Sequence, residues 1–269
     1  MGVRSGLKMA GAKGPEMMAQ ILPLLPPAEG PWAVPFFGIG SAARALHESG
    51  REIAYVSDAS PALVALLQAL RDRTDHVLAW AGALAGEVSP LGTAEEQREW
   101  YAQKRAILNE VGPASVPPLF LVVWRLAYNG LARFSRAGQF NAPPRIQPGK
   151  PVRRVLDVDA LRVFGAWLRT IPRVELAGYE ETPAGPAYFD PPYVGTHDTY
   201  TPGGFDHGAY HRWLGLRAGP WAASNSADAP VRYPLPYLHR EIHEVQRSGR
   251  ISRDGKGRGP VPEILAICR

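Results

Sequence analysis

The sequence predicts a doubly wound, Rossmann-like α/β core interrupted by a mostly helical insertion. Three observations carry that expectation. A strand, glycine turn and helix run from Ala33 to Ser49, followed by a second strand that ends on an acid, Asp58. A later apolar strand, Ala187-Tyr-Phe189, ends on Asp190-Pro-Pro-Tyr193. Gly40 and Asp190 stand 150 positions apart, whereas a βαβ unit needs only about 30 residues, so a segment is inserted between them.

Taken in order, Ala33-Val-Pro-Phe-Phe37 is a short apolar run, and Gly38-Ile-Gly-Ser-Ala-Ala43 turns it into a helical segment. Glu52-Ile-Ala-Tyr-Val56 is the second strand, closed by Ser57-Asp58. Pro61 suits the first turn of the next helix, with Ser60 as its N-cap. A helical pattern holds from Thr74 to Tyr128, and Asn129 to Arg154 forms a loop rich in Gly, Pro and Arg. Asp157 to Thr170 resumes a helix, and Val174 to Gly178 and Pro186 to Phe189 return to strands. The core is therefore expected over residues 1–72 and 173–269 and the insertion over 73–172. No fixed-period repeat is visible, which argues against solenoids and propellers.

Composition narrows the class. A chain of 269 residues, 45% hydrophobic, has ample length for a buried core despite 28 glycines and 27 prolines. The single cysteine, Cys268, excludes an internal disulfide and a multi-cysteine metal site. The most apolar stretch, Val116 to Leu131, is interrupted by Arg125 and Asn129 and falls short of the roughly 20 apolar residues a membrane span needs. The first residues lack the long apolar run of a signal peptide, and a cytoplasmic chain with no membrane partner is expected. His207/His211 and His239/His243 share helical i,i+4 spacing, but neither pair has the Glu placement of a zinc-protease helix and two ligands make no closed site, so no metal is expected.

The net charge of +5 hides a bias of type: only Lys8, Lys13, Lys104, Lys150 and Lys256 among the 30 basic residues are lysines. Arginine's planar fork suits phosphates and guanine edges, which makes a nucleic-acid partner plausible; a GC-rich genome would produce the same composition. The glycine turn followed by Asp58 suits an adenosine-bearing cofactor, the glycines letting the backbone approach and the carboxylate accepting from ribose hydroxyls. Ala43 can fill the third small position of a dinucleotide fingerprint, so a nicotinamide cofactor stays open. Asp190-Pro191-Pro192-Tyr193 is the most specific signal, because strand ends are where α/β proteins bind ligands.

With Asp190 to Tyr193 in place, the chain resembles the Dam-like DNA adenine-N6 methyltransferases. Leu7-Lys-Met-Ala-Gly-Ala-Lys13 resembles their N-terminal cofactor motif, Phe37-Gly-Ile-Gly-Ser41 the glycine motif and Asp58 the ribose-binding acid. Tyr128-Asn-Gly-Leu-Ala-Arg133 with Gly138-Gln-Phe-Asn-Ala-Pro143 is similar to the DNA-reading hairpin. Ser224-Asn225 resembles a later strand-end motif, and Arg250-Ile-Ser252 through Arg258 to Glu263-Ile-Leu265 the family's C-terminal loop and last strand. Met9 stands where the family usually has Trp, and Val34 where an acid commonly precedes Pro-Phe.

The resemblance implies S-adenosylmethionine as cofactor, S-adenosylhomocysteine as product and duplex DNA as partner, bound by a monomer or by a dimer on DNA, in a prokaryotic or phage-encoded protein. The cofactor would meet Lys8 or Lys13, Met9, Phe37, Gly38, Gly40, Ser41, Asp58 and Asp190. DNA would be read by Asn129, Arg133, Arg136 and Asn141, with Arg250 and Arg258 among the arginines on phosphates. Adenine N6 is a poor nucleophile because its lone pair is delocalised into the ring. Asp190 and the Pro191 carbonyl can each accept one N6 hydrogen and so favour a pyramidal nitrogen. Pro191 and Pro192 stiffen the loop, and Tyr193 would stack on the base once it is flipped. Methylation at cytosine C5 needs a cysteine nucleophile, a role for which Cys268 is poorly placed. Two other readings remain: a DNA-binding homologue with weakened catalysis, and a nucleotide-dependent oxidoreductase that leaves Asp190 to Tyr193 without a role.

Overall fold

In a computed structural model of the chain, the described residues are 5–7, 9, 11–130, 132–135, 137–146, 155–195, 204–247 and 261–269. Helix α1 (Pro15–Ile21) leads into β1 (Trp32–Val34), α2 (Ser41–Glu48), β2 (Ile53–Asp58) and α3 (Pro61–Asp72). The long connection to β3 (Arg173–Leu176) carries α4 (Thr74–Val88), α5 (Ala94–Val111), α6 (Pro117–Arg125) and α7 (Val158–Leu168). Then follow β4 (Ala187–Phe189), α8 (His207–Leu216), β5 (Trp221–Ser226), α9 (Ala229–Arg232), β6 (Glu241–Arg247) and β7 (Val261–Cys268).

Local chemistry explains most boundaries. Prolines open α1, α3 and α6 at the first turn, where their missing N–H costs nothing. Thr93 and Glu96 close a capping box on α5, and the Asp157 and Asp206 carboxylates cap α7 and α8. Ser60 does occupy the N-cap of α3, but its hydroxyl makes no capping bond. Asp58 Oδ1 takes the Ser60 N–H at 2.9 Å instead, because the acid two residues earlier already points back over the turn. His239 and His243 do not share a helix: His239 lies in a turn and His243 in β6, so the expected helical pairing is wrong. Pro234 and Pro236 confine helix to a single 3-10 turn, and antiparallel pairing with β7 takes over.

The seven strands order as β3-β2-β1-β4-β5-β7-β6, the first five parallel and β7 antiparallel to both neighbours. Alternate residues feed two cores. Trp32, Val34, Val56, Tyr188, Ala222 and Leu265 pack with α1, α2, α3 and α7 on one face. Ala33, Tyr55, Phe189, Trp221, Ala223 and Ile264 pack with Tyr210 and Leu214 of α8 on the other.

The first core continues without a break into Phe120, Trp124, Tyr101 and Leu108 of α5 and α6, so these helices share the core of the sheet. Gly165 sets how closely α7 approaches α3: a Cβ there would stand 2.6 Å from the Leu70 carbonyl oxygen and 2.6 Å from Thr74 Oγ1. Among the described residues, no helix is long and apolar enough to cross a membrane.

Candidate active site

The sheet order reverses between β1 and β4, the switch point at which open α/β sheets bind ligands beyond their strand ends. Two sequence-predicted motifs meet there. Gly38 (φ 55°) and Gly40 (φ 73°) both adopt left-handed backbone after β1. At Gly40 a Cβ would stand 2.6 Å from Cζ of Phe37, so only glycine closes this turn over the ring. Met9 Sδ lies 3.6 Å from where a Gly38 Cβ would be, which places Met9 against the turn, and Ser41 begins α2 directly after it.

Asp58 at the tip of β2 accepts the Gly38 N–H on Oδ2 at 2.9 Å and the Ser60 N–H on Oδ1 at 2.9 Å. Burial pushes its carboxyl above the ordinary carboxylate range, against the backbone donors that favour the ionised form. The turn and the acid thus form one unit: a glycine cradle beside a carboxylate with further lone pairs. That donor and acceptor set fits the ribose and backbone contacts of an adenosine-bearing cofactor.

Asp190 follows β4 directly. Its Oδ1 receives Lys13 Nζ at 2.5 Å, and the same ammonium donates to the Tyr193 hydroxyl at 2.6 Å while lying 4.7 Å from the centre of that ring. The Tyr193 hydroxyl donates to Glu263 Oε2 at 2.7 Å, and Glu263 stands 3.8 Å from Lys13. Burial, reinforced by the charges of Asp190 and Glu263, pushes the Tyr193 phenol far above its usual range, so it stays a neutral donor. Lys13 and Glu263 have side chains 5% and 4% exposed; buried charges of this kind are tolerable only when paired.

Past the tyrosine, Val194 N–H donates to Asn225 Oδ1 at 3.1 Å and the Ser226 hydroxyl to the Val194 carbonyl at 2.9 Å, tying the loop to the end of β5. Behind it, Phe36, in left-handed backbone at φ 57°, packs its ring with Tyr179, Phe205 and Tyr210. A bulky residue in that region marks strain held by its surroundings.

The long connection between α3 and β3 supplies a second structure. Phe134 and Phe140 pair across a hairpin, with the Asn141 N–H donating to the Arg133 carbonyl at 2.9 Å and the Ser135 N–H to the Gln139 carbonyl at 2.8 Å. Arg133 donates through Nε to Asn141 Oδ1 and through Nη2 to the Asn141 carbonyl, both at 2.8 Å. Asn109 on α5 grips the Phe140 N–H at 2.8 Å and its carbonyl at 3.1 Å. Tyr101 donates to the Ala142 carbonyl at 2.9 Å. Asn129 is exposed, in left-handed backbone at φ 54°.

Lys8, Arg136, Arg250 and Arg258 lie outside the described residues. The structure gathers Lys13, Asp190 and Tyr193 into one cluster and Phe37, Gly38, Gly40, Ser41 and Asp58 into another. Sequence reading missed Glu263 as a site residue, although a lone acid in the apolar run Val261–Cys268 is a legible signal. Cys268 pairs with Trp221 at the start of β5, the opposite end of the sheet from Asp190. The described residues contain no cluster of three or more metal-ligating side chains.

A seven-stranded sheet of this order, with a glycine turn and an Asp-Pro-Pro-Tyr loop at its switch point, defines a Rossmann-like methyltransferase fold. The family described as D12 class N6 adenine-specific DNA methyltransferase matches residues 10–210, and the chain belongs to it. No curated protein matches the chain at a significant level.

Proposed function

We propose that the chain transfers a methyl group from S-adenosylmethionine to N6 of an adenine flipped out of duplex DNA. The observation that carries this reading is the placement of Asp190 and Pro191 at the sheet's switch point, beside the glycine turn and Asp58. When bound, the cofactor supplies an electrophilic sulfonium methyl and leaves as S-adenosylhomocysteine.

The chain's own residues do the positioning. Gly38 and Gly40 admit the cofactor's backbone contacts, and Asp58 accepts from its ribose hydroxyls. Lys13 holds Asp190 Oδ1, leaving Oδ2 and the Pro191 carbonyl to accept the two N6 hydrogens. Those bonds favour a pyramidal nitrogen whose lone pair faces the methyl, and as the new N–C bond forms one N6 proton passes to Asp190 Oδ2 and from there to solvent. Tyr193 stacks on the extruded base, since an adenine inside the duplex is out of reach. Rate enhancement then comes from orientation and fixed charges, with no covalent enzyme intermediate. The hairpin from Arg133 to Asn141 reads the flanking bases in the duplex. This assignment makes the protein soluble and DNA-bound in the cytoplasm, with a core of residues 1–72 and 173–269 and a recognition insertion of 73–172.

The test is incubation of the purified chain with duplex DNA and S-adenosylmethionine carrying a labelled methyl group, followed by digestion to nucleosides. Label is expected in N6-methyladenine; label in cytosine alone, or none in DNA, rejects the proposal.

A further inference from the structure

We propose that Glu263 is a positioning residue for methyl transfer, acting through Tyr193 and Lys13; this rests on the reading of Asp190 to Tyr193 as the catalytic loop. Glu263 belongs to the antiparallel strand β7, opposite Ser226 of β5 and Val245 of β6, and not to the strands that carry the motifs. Its register places it at the site end of the sheet, five positions from Cys268 at the far end. The surrounding strand is apolar and buried, with Ile264, Leu265, Ala266 and Ile267 all at 4% exposure or less. A carboxylate there is costly unless its partners hold it.

Those partners are the catalytic groups themselves. Glu263 Oε2 accepts a hydrogen bond from the Tyr193 hydroxyl at 2.7 Å, that hydroxyl oxygen accepts from Lys13 Nζ at 2.6 Å, and the same ammonium holds Asp190 at 2.5 Å. Donors and acceptors therefore run in one direction, from Lys13 to Asp190 on one side and through Tyr193 to Glu263 on the other. Rotation about Cα–Cβ swings a tyrosine ring with its hydroxyl as the far end, so fixing the hydroxyl fixes the ring axis and with it the place where a base can stack. Glu263 sets that point, and its charge, 3.8 Å from Lys13, helps keep the ammonium between the two carboxylates. Two strands that meet only through the fold, β4 and β7, thereby control one reacting geometry.

The experiment measures single-turnover methyl transfer and S-adenosylmethionine affinity for the wild type, Glu263→Ala, Glu263→Gln, Tyr193→Phe and the Glu263→Ala/Tyr193→Phe pair. Loss of a hydrogen bond to a charged group predicts transfer slowed about 10- to 100-fold in Glu263→Ala, with cofactor affinity within about threefold of wild type. Glu263→Gln keeps an acceptor for the phenol and should recover most of the rate. In the double variant the second substitution should add little, because both remove the same bond. Should Glu263→Ala fail to fold, Tyr193→Phe removes that bond from the other end while keeping the ring, and a slowed transfer is again expected. Wild-type transfer rates in folded Glu263→Ala and in Tyr193→Phe, or multiplicative losses in the pair, overturn the proposal. A wild-type chain that methylates no adenine instead overturns the catalytic reading on which it rests.

Discussion

At Asp58 two opposing effects meet, and their balance predicts a pH response. Burial raises its pKa from 3.8, with the Gly38, Ser60 and Ala59 amides opposing the rise. A protonated carboxyl loses acceptor capacity, so S-adenosylmethionine affinity should fall on acidification at a pH above the ordinary Asp range. Because the folded pKa is the higher one, the folded state binds the proton more tightly and Asp58 adds stability as pH falls, so the expected loss is one of binding. Calorimetric titration across pH checks this: Asp58→Asn should bind weakly at every pH, and a flat wild-type profile would contradict the assignment. Gly40→Ala tests the neighbouring turn. A Cβ 2.6 Å from the Phe37 ring in left-handed backbone should cost about 1–3 kcal/mol, read as a lowered Tm and weaker cofactor binding. Both residues were legible in the sequence because the turn and the strand-end acid are local patterns. The contacts of Lys13 with Asp190 and Tyr193 were not legible, since they span 177 and 180 positions.

Among the elements, the hairpin depends on its clamp to α5. Asn109 satisfies both backbone groups of Phe140, a residue with no exposed surface. Asn109→Ala should therefore cost about 1–3 kcal/mol and loosen sequence discrimination, with cofactor affinity unchanged. Denaturant unfolding and methylation of alternative duplex sites measure the two effects. Arg133→Ala should relax discrimination at one position of the DNA site by about 1–3 kcal/mol; if Arg133 only braces Asn141, stability falls and discrimination does not. The family resemblance marked this hairpin where composition alone read a loop rich in Gly, Pro and Arg, but the grip of Asn109 and Tyr101 arises from helix packing that no local pattern encodes. β7 shows the same limit. The resemblance marked a last strand at Glu263-Ile-Leu265, whereas its insertion between β5 and β6, which delivers Glu263 to the loop, exists only once the sheet is assembled.

Across the whole molecule, one continuous core joins the sheet to α5 and α6, so substitutions in α6 are transmitted to the site's scaffold. The 150-position gap between Gly40 and Asp190 signals the long connection from α3 to β3, yet its sequence carried no sign that α5 and α6 would share a core with the sheet. The arginine-weighted charge of +5 implies that DNA affinity falls by about tenfold or more between roughly 50 and 200 mM salt, through counterion release. Fluorescence anisotropy on duplex DNA checks that slope, while cofactor binding should barely respond. The central claim, that Asp190 activates adenine N6, is tested most directly by comparing wild type and Asp190→Ala for N6-methyladenine formed on plasmid DNA at matched DNA occupancy. Methylation by the wild type with at least about a 100-fold loss in the variant is expected, and Asp190→Ala methylating at the wild-type rate would contradict the account.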